Sequence, residues 1–169
     1  MHPVKADKIY LVGFMGAGKT TLARALAKRL DWEAVDIDEV IEARERESVA
    51  EIFVHHGEPY FRAAERAVLS EQLGRPHLVV ATGGGTFADP QNRAAINADG
   101  VSVWLDVPLD RLVHRIPADG RRPLAADRAS LERLYHQRRS FYGHAHRRLD
   151  AGHAGVEALV EELIDWLEH

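Results

Sequence analysis

The sequence contains no cysteine, so disulfides, thiolate metal sites and cysteine nucleophiles are excluded, as suits a reducing compartment. Aromatic residues are sparse at 7%. No apolar run comes near the ~20 residues that a membrane-spanning helix requires, so no membrane partner is expected. Neither sign of charge dominates: 22 Lys and Arg face 26 Asp and Glu, a net charge of −4. No global field therefore marks the chain as a binder of nucleic acid or of membrane surfaces. Met1 to Lys8 is polar and lacks the cationic-then-apolar layout of a signal peptide, so the expected location is the cytoplasm. Internal repeats, low-complexity tracts and long Pro/Gly/Ser linkers are also missing. With 46% apolar and 28% charged residues, the composition suits one domain spanning 1–169. A domain of this size buries roughly two thirds of its unfolded surface.

Short apolar runs alternate with longer stretches whose apolar residues recur every three or four positions, the pattern of an α/β fold. Ile9 to Val12, Ala34 to Ile37, Leu78 to Ala81 and Val101 to Leu105 read as buried strands, with a weaker fifth near Arg147 to Asp150. Helices are expected around Leu22 to Leu30, within Ile52 to Leu69, around Leu109 to Ile116, around Leu131 to Tyr142 and over Val156 to Leu167, covering both faces of a mostly parallel sheet. Between two of these helical patterns, Pro117 to Ala129 has breakers at both ends and little apolar content, which predicts a mobile surface loop suited to a lid.

Directly after the first strand, Gly13-Phe14-Met15-Gly16-Ala17-Gly18-Lys19-Thr20 fits Gly, four residues, Gly-Lys-Ser/Thr, and opens a helix. The glycines, with Ala17 between them, let backbone N–H groups wrap a triphosphate, and Lys19 reaches the outer phosphates. The Thr20 hydroxyl can ligate Mg²⁺, and the helix that continues through Thr21 adds positive potential at its N-terminus. A glycine-rich turn that binds nothing would not require Lys and Thr at these two positions. ATP binding with Mg²⁺ as cofactor is the reading this segment supports, though the same cradle serves many acceptors.

Asp36 and Asp38 fall where the second strand runs out, on the crevice side of a doubly wound sheet. Alternation along an extended chain would place both carboxylates on one side, one facing hydrated Mg²⁺ and one a substrate hydroxyl. The competing reading makes Asp38 the N-cap of a helix from Glu39 to Arg46. The third strand ends in Thr82-Gly83-Gly84-Gly85-Thr86, where three glycines would form a floor on which a ligand meets bare backbone. Arg62 lies three residues before Glu65; it either pairs with it at the surface or turns its planar fork on a ligand carboxylate. Arg115 to Arg148 holds nine arginines against three acids, a local balance of +6 that points to an anionic partner. Few stacking aromatics accompany them, so a nucleic acid is not the expected one. His55/His56 and His144/His146 lack the supporting cluster of a metal site, and Trp32, Trp104 and Trp166 read as packing residues.

In order along the chain, several blocks resemble the shikimate kinases, small P-loop enzymes of aromatic amino-acid biosynthesis. They are Gly13 to Thr21, Val35-Asp36-Ile37-Asp38, Gly57-Glu58 with Phe61-Arg62 and Glu65, Ala81 to Gly85, Trp104-Leu105-Asp106, Arg122-Pro123-Leu124, and Arg138 with Tyr142. The resemblance implies a three-layer P-loop kinase fold with a five-stranded parallel sheet flanked by helices, a helical substrate-binding region at about 38–65 and a mobile lid at about 117–129. It also implies that Asp38, Arg62, Gly84 and Arg138 bind shikimate, the arginines holding the carboxylate while Asp38 and the glycines hold ring hydroxyls. By the same likeness Arg122 closes on ATP and Asp36 holds Mg²⁺ through water. Two positions depart from the family pattern: Ala125 stands where a further bulky apolar residue is usual, and Ala151 to Ala154 replaces a segment that commonly supplies an Arg or Gln to adenine. Arg138 and Arg139 are adjacent, and spacing does not choose between them.

The expected reaction is ATP-dependent phosphorylation of the shikimate 3-hydroxyl by a monomer, with Lys19, Asp38 and Arg122 as the catalytic residues. A kinase for another small polyol acid such as gluconate, a nucleotide kinase and a catalytically silent ligand-binding relative are the alternatives. The Gly-Lys-Gly-Thr of an adenylate kinase is missing, since Thr20-Thr21 follows Lys19. Lys19→Ala is expected to abolish nearly all turnover with the circular dichroism spectrum unchanged; retention of more than about a tenth of the activity would remove Lys19 from the phosphate site.

Overall fold

The computed structural model describes residues 6–115 and 127–169. Five strands form one sheet: β1 (Lys8–Val12), β2 (Glu33–Asp36), β3 (Leu78–Ala81), β4 (Val101–Asp106) and β5 (Arg147–Asp150). They lie in the order β2-β3-β1-β4-β5, and all four pairings are parallel. Every residue of β1 and β3 is buried, which is why these strands read as uninterrupted apolar runs. At the edge, β5 buries only Leu149; its arginines and Asp150 explain the weakness of its sequence signal.

Around the sheet lie α1 (Lys19–Leu30), α2 (Ile37–Glu45), α3 (Val49–His56), α4 (Glu58–Gln72), α5 (Pro90–Asp99), the single turn α6 (Leu109–Leu112), α7 (Arg128–Tyr142) and α8 (Val156–Glu168). The buried side chains join in one hydrophobic cluster that includes strands and helices from both ends of the described chain. A 3-10 turn, Thr86–Ala88, comes after the three glycines.

Several boundaries differ from the sequence reading. The helical stretch over Ile52 to Leu69 is two helices, parted at Gly57, whose φ of 86° no other residue type adopts readily. α5 has no counterpart among the expected helices, because Ile96 is its one large apolar residue, although Asp89 caps it and Pro90 opens it. Ile37 belongs to α2 rather than to the second strand, and the helix begins with no intervening loop. The cap is therefore Asp36, accepting from the Glu39 amide at 3.1 Å, and Asp38 sits inside the first turn. Of the expected lid, residues 117–126 lie outside the described residues; Asp127 caps α7, and Arg128 and Ala129 already belong to that helix.

At the amino edge of the sheet, Lys8 is buried and pairs with Asp99 at 2.5 Å. The same carboxylate accepts from the Tyr10 hydroxyl at 2.6 Å and from the Gly74 amide at 2.9 Å. Burial alone would raise the Asp99 carboxyl, but donation from Lys8, Tyr10 and the Gly74 amide outweighs it and holds the pKa below the ordinary 3.8. Since the folded value is the lower one, the stabilisation is complete above the unfolded pKa and is lost as pH falls through the folded pKa. Asp99→Asn is expected to cost about 3 kcal/mol at neutral pH, because Lys8 stays buried without its counter-charge. It should also flatten the acid limb of a urea-denaturation profile measured against pH.

Candidate active site

All five strands deliver their carboxyl ends to one edge, and the loops leaving β1, β2 and β3 meet there. The β1 loop is the predicted cradle. Gly18 caps α1 in a left-handed conformation, φ 99°, without a side-chain cap bond, and the first turn carries no acid. The amides there are left to a ligand of negative charge. Lys19 is buried and donates from Nζ to the carbonyls of Gly13 at 2.7 Å and Phe14 at 2.8 Å, so its ammonium is held within the loop. The Thr20 hydroxyl donates to Asp36 Oδ2, while Asp36 Oδ1 caps α2. One carboxylate thus ties the start of α1 to the start of α2.

Two hollows adjoin at this edge. The larger, about 810 Å³, runs over Gly16 to Thr21 and past Asp36 and Arg115. Part of its lining is apolar, from Ala151, Ala154, Val156 and Leu159. The smaller, about 50 Å³, is bounded by Phe53, Phe61, Arg62, Glu65, Gly85 and Arg138. Met15, Asp38, Val49, Gly83 and Gly84 line both. Asp38 therefore stands at the boundary, reaching it from a helical turn and not, as expected, by strand alternation. A Cβ built on Gly83 would lie 2.9 Å from Asp38 Oδ1, which places the carboxylate directly against the glycine floor. At Gly85 a Cβ would come within 2.6 Å of the Arg62 guanidinium, so only glycine leaves that arginine its place.

Arg62 donates to Glu65 at 3.2 Å and to Glu58 at 3.2 Å. Glu65 is 1% exposed, so the surface-pair reading is corrected: the pair forms, but inside the wall of the smaller hollow. Burial pulls the Arg62 guanidinium down, and Glu65 together with Glu58 more than offsets it, leaving its pKa above the ordinary value. Arg138, 6% exposed, has no carboxylate within ion-pair distance among the described residues. Burial, abetted by the like charge of Arg62, lowers its pKa against the opposing pull of Tyr142, Glu65 and Glu58. Two guanidinium groups thus line one small hollow, an arrangement that a planar carboxylate would neutralise. Tyr142, whose pKa is raised by burial, donates to the Gly84 carbonyl at 2.6 Å.

Arg139 points elsewhere. It donates to Asp106 at 2.6 Å and lies over Trp104, 4.9 Å from the ring centroid. Arg148 donates to the other oxygen of Asp106 at 2.7 Å. Arg122 lies outside the described residues. Sequence reasoning assigns no role to Arg115, which donates to the Gly16 carbonyl at 3.3 Å; its place at the head of the arginine-rich stretch is the available signal. Glu65 and Tyr142 belong to the resembling blocks without a task of their own; spacing gives the pairing of Glu65 with Arg62 but not its bond to Thr86, nor that of Tyr142 to Gly84.

A model of the shikimate kinase family matches residues 15–168. The chain belongs to the shikimate kinase family. It is 38% identical over 157 residues to the shikimate kinase of Persephonella marina, covering 92% of this chain and 96% of that one. To the shikimate kinase of Novosphingobium aromaticivorans it is 42% identical over 170 residues, covering 94% and 88%. A shikimate kinase from Acinetobacter baumannii, solved in complex with shikimate, superposes with a TM-score of 0.90 at 35% identity, over 95% of this chain and 92% of that one. Deoxyadenosine kinase from M. mycoides, at 18% identity and a TM-score of 0.66, shares the fold alone. The expected five-stranded parallel P-loop kinase fold is present, and the activity is that of a shikimate kinase, phosphoryl transfer to shikimate.

In a shikimate kinase of this geometry the two neighbouring arginines should behave differently. Arg138→Ala is expected to raise the shikimate KM at least about tenfold, as loss of a charge-assisted contact does. Arg139→Ala should leave that KM within about twofold and lower the melting temperature instead. Steady-state kinetics and thermal unfolding of both variants check the assignment.

Proposed function

We propose that this shikimate kinase binds ATP along the larger hollow and shikimate in the smaller one, and that transfer takes place where Asp38 borders both. The observation that carries this reading is the shared wall of Met15, Asp38, Gly83 and Gly84. A γ-phosphoryl group over the cradle and a hydroxyl over the glycine floor would lie on either side of that wall, so the two reactants are held together before the chemistry begins.

Arg62 and Arg138 grip the shikimate carboxylate, which turns the ring so that its 3-hydroxyl meets Asp38. Asp38 orients that hydroxyl and accepts its proton as the new O–P bond forms. The bond between the γ-phosphorus and the bridging oxygen breaks, and ADP leaves with that oxygen. Since the transition state is loose, placement counts for more than a strongly basic carboxylate. Lys19 and the backbone amides at the head of α1 stabilise charge on the transferring group, and by the family likeness Arg122 adds to this.

The donors around the cradle suit Mg²⁺: Thr20 and Asp36 supply oxygen only and already touch each other. A kinase magnesium site takes one or two protein oxygens and draws the rest from phosphates and water. Thr20 would hold the ion directly and Asp36 through water, and when bound it offsets charge on the phosphates. The working unit in this reading is a monomer. The apolar stretch at Ala151, Ala154, Val156 and Leu159 gives the base of ATP a surface in place of an Arg or Gln side chain.

Asp38→Asn is expected to lower kcat at least about a hundredfold while the ATP dissociation constant changes less than about threefold. Equal losses in both would take Asp38 off the acceptor side. An ADP-release assay run with shikimate, gluconate, AMP and no acceptor tests the wider reading, for which only shikimate should support turnover.

A further inference from the structure

We propose that Thr86, which lies behind the glycine floor and does not line the smaller hollow, is a positioning residue for the acceptor carboxylate. It acts through Glu65 and Arg62. The proposal rests on the reading of the smaller hollow as the shikimate site.

Thr86 is fully buried, at 0% exposure. Its hydroxyl accepts from the Gly83 amide at 3.0 Å and donates to Glu65 Oε2 at 2.8 Å. The direction of both bonds is set by chemistry: an amide N–H only donates and an ionised carboxylate only accepts. A hydroxyl at this point satisfies both, and a methyl group in its place satisfies neither. Glu65 in turn holds Arg62 from Oε1 at 3.2 Å and from Oε2 at 3.3 Å. The Thr86 carbonyl accepts from Asn92 Nδ2 at 3.1 Å, and Asn92 is itself 5% exposed in the first turns of α5.

A continuous chain of hydrogen bonds therefore runs from α5 through Thr86 and Glu65 to the guanidinium on α4, with a branch to the Gly83 amide. Arg62 bears a flexible side chain, and a carboxylate ligand needs its fork at a fixed angle. Without the Thr86 hydroxyl, Glu65 loses one of its partners in a buried setting and the Gly83 amide loses its acceptor. Glu65 can then settle into another rotamer, taking Arg62 with it. The cradle, at the start of α1, has no member in this chain.

The test compares Thr86→Val, which keeps the shape and loses the hydroxyl, with Thr86→Ser, which keeps the hydroxyl. Thr86→Val is expected to raise the shikimate KM about tenfold with the ATP KM within about twofold. Thr86→Ser should stay within about threefold of wild type in both. The effects of Thr86→Val and Glu65→Gln on the shikimate KM should be markedly less than additive when combined, because both act on Arg62. Should Thr86→Val fail to fold, Thr86→Ala, which crowds the site less, takes its place, and thermal unfolding establishes that the variant measured is native. An unchanged shikimate KM in a folded variant lacking the hydroxyl overturns the proposal, as does an equal rise in both KM values or a Ser variant as impaired as the Val variant. The Arg138→Ala variant separates this failure from failure of the site reading: a raised shikimate KM there beside an unchanged one in Thr86→Val overturns the role of Thr86 alone, whereas an unchanged KM in both overturns the site reading.

Discussion

The Leu11 carbonyl accepts two hydrogen bonds from Thr82, one from the amide at 3.1 Å and one from the hydroxyl at 2.9 Å. This bond pair fastens the end of β3 to the end of β1. The loops that leave the two strands are then no longer independent: the cradle leaves β1 beyond Val12, and the glycine floor leaves β3 at Gly83. Their closeness lets Met15 and Gly84 serve two hollows at once. A looser junction would allow the phosphate site and the acceptor site to drift apart by the ångström or so that phosphoryl transfer does not tolerate.

Around the smaller hollow, charge is distributed unequally. Arg62 is met by Glu65 and Glu58, whereas Arg138 has no carboxylate within ion-pair distance among the described residues. The two carboxylates offset one guanidinium in part, which limits the repulsion between the pair, and in the proposed reading Arg138 is left for the ligand's anionic group. That is the compromise a site must strike if it is to stand empty and still bind. Asp106 is shared between Arg139 and Arg148, so one carboxylate meets two guanidinium groups, and the trio packs over Trp104.

Legibility in the residues themselves divides along the same lines. The cradle is legible because each of its residue types has a separate task, and β1, β3 and β4 because buried parallel strands are predominantly apolar. α5 is hidden by its polarity, and the helix start at Ile37 by the absence of a loop, which makes Asp36 at once the last residue of a strand and a cap. Arg138 and Arg139 stand about 100° apart around a helix. Which of them faces the hollow is decided by Asp106, on a different strand and 33 positions away. Thr86 and Tyr142 have no local signal, since their partners are set by tertiary packing, and Glu65 shows in the sequence only its pairing with Arg62. The shikimate kinase blocks supply the acceptor, which the cradle by itself leaves open.

The sheet ends on both sides in four-residue strands with charge at their margins: Glu33 and Asp36 on β2, and Arg147, Arg148 and Asp150 on β5. Arg147 is also drawn over the Trp166 ring and toward Glu162. A strand from another copy that tried to dock here would have to strip water from these groups and find register over a very short span. The molecule is thereby guarded against growing edge to edge into fibres, and crowding it in a vial should give a clear liquid rather than a gel.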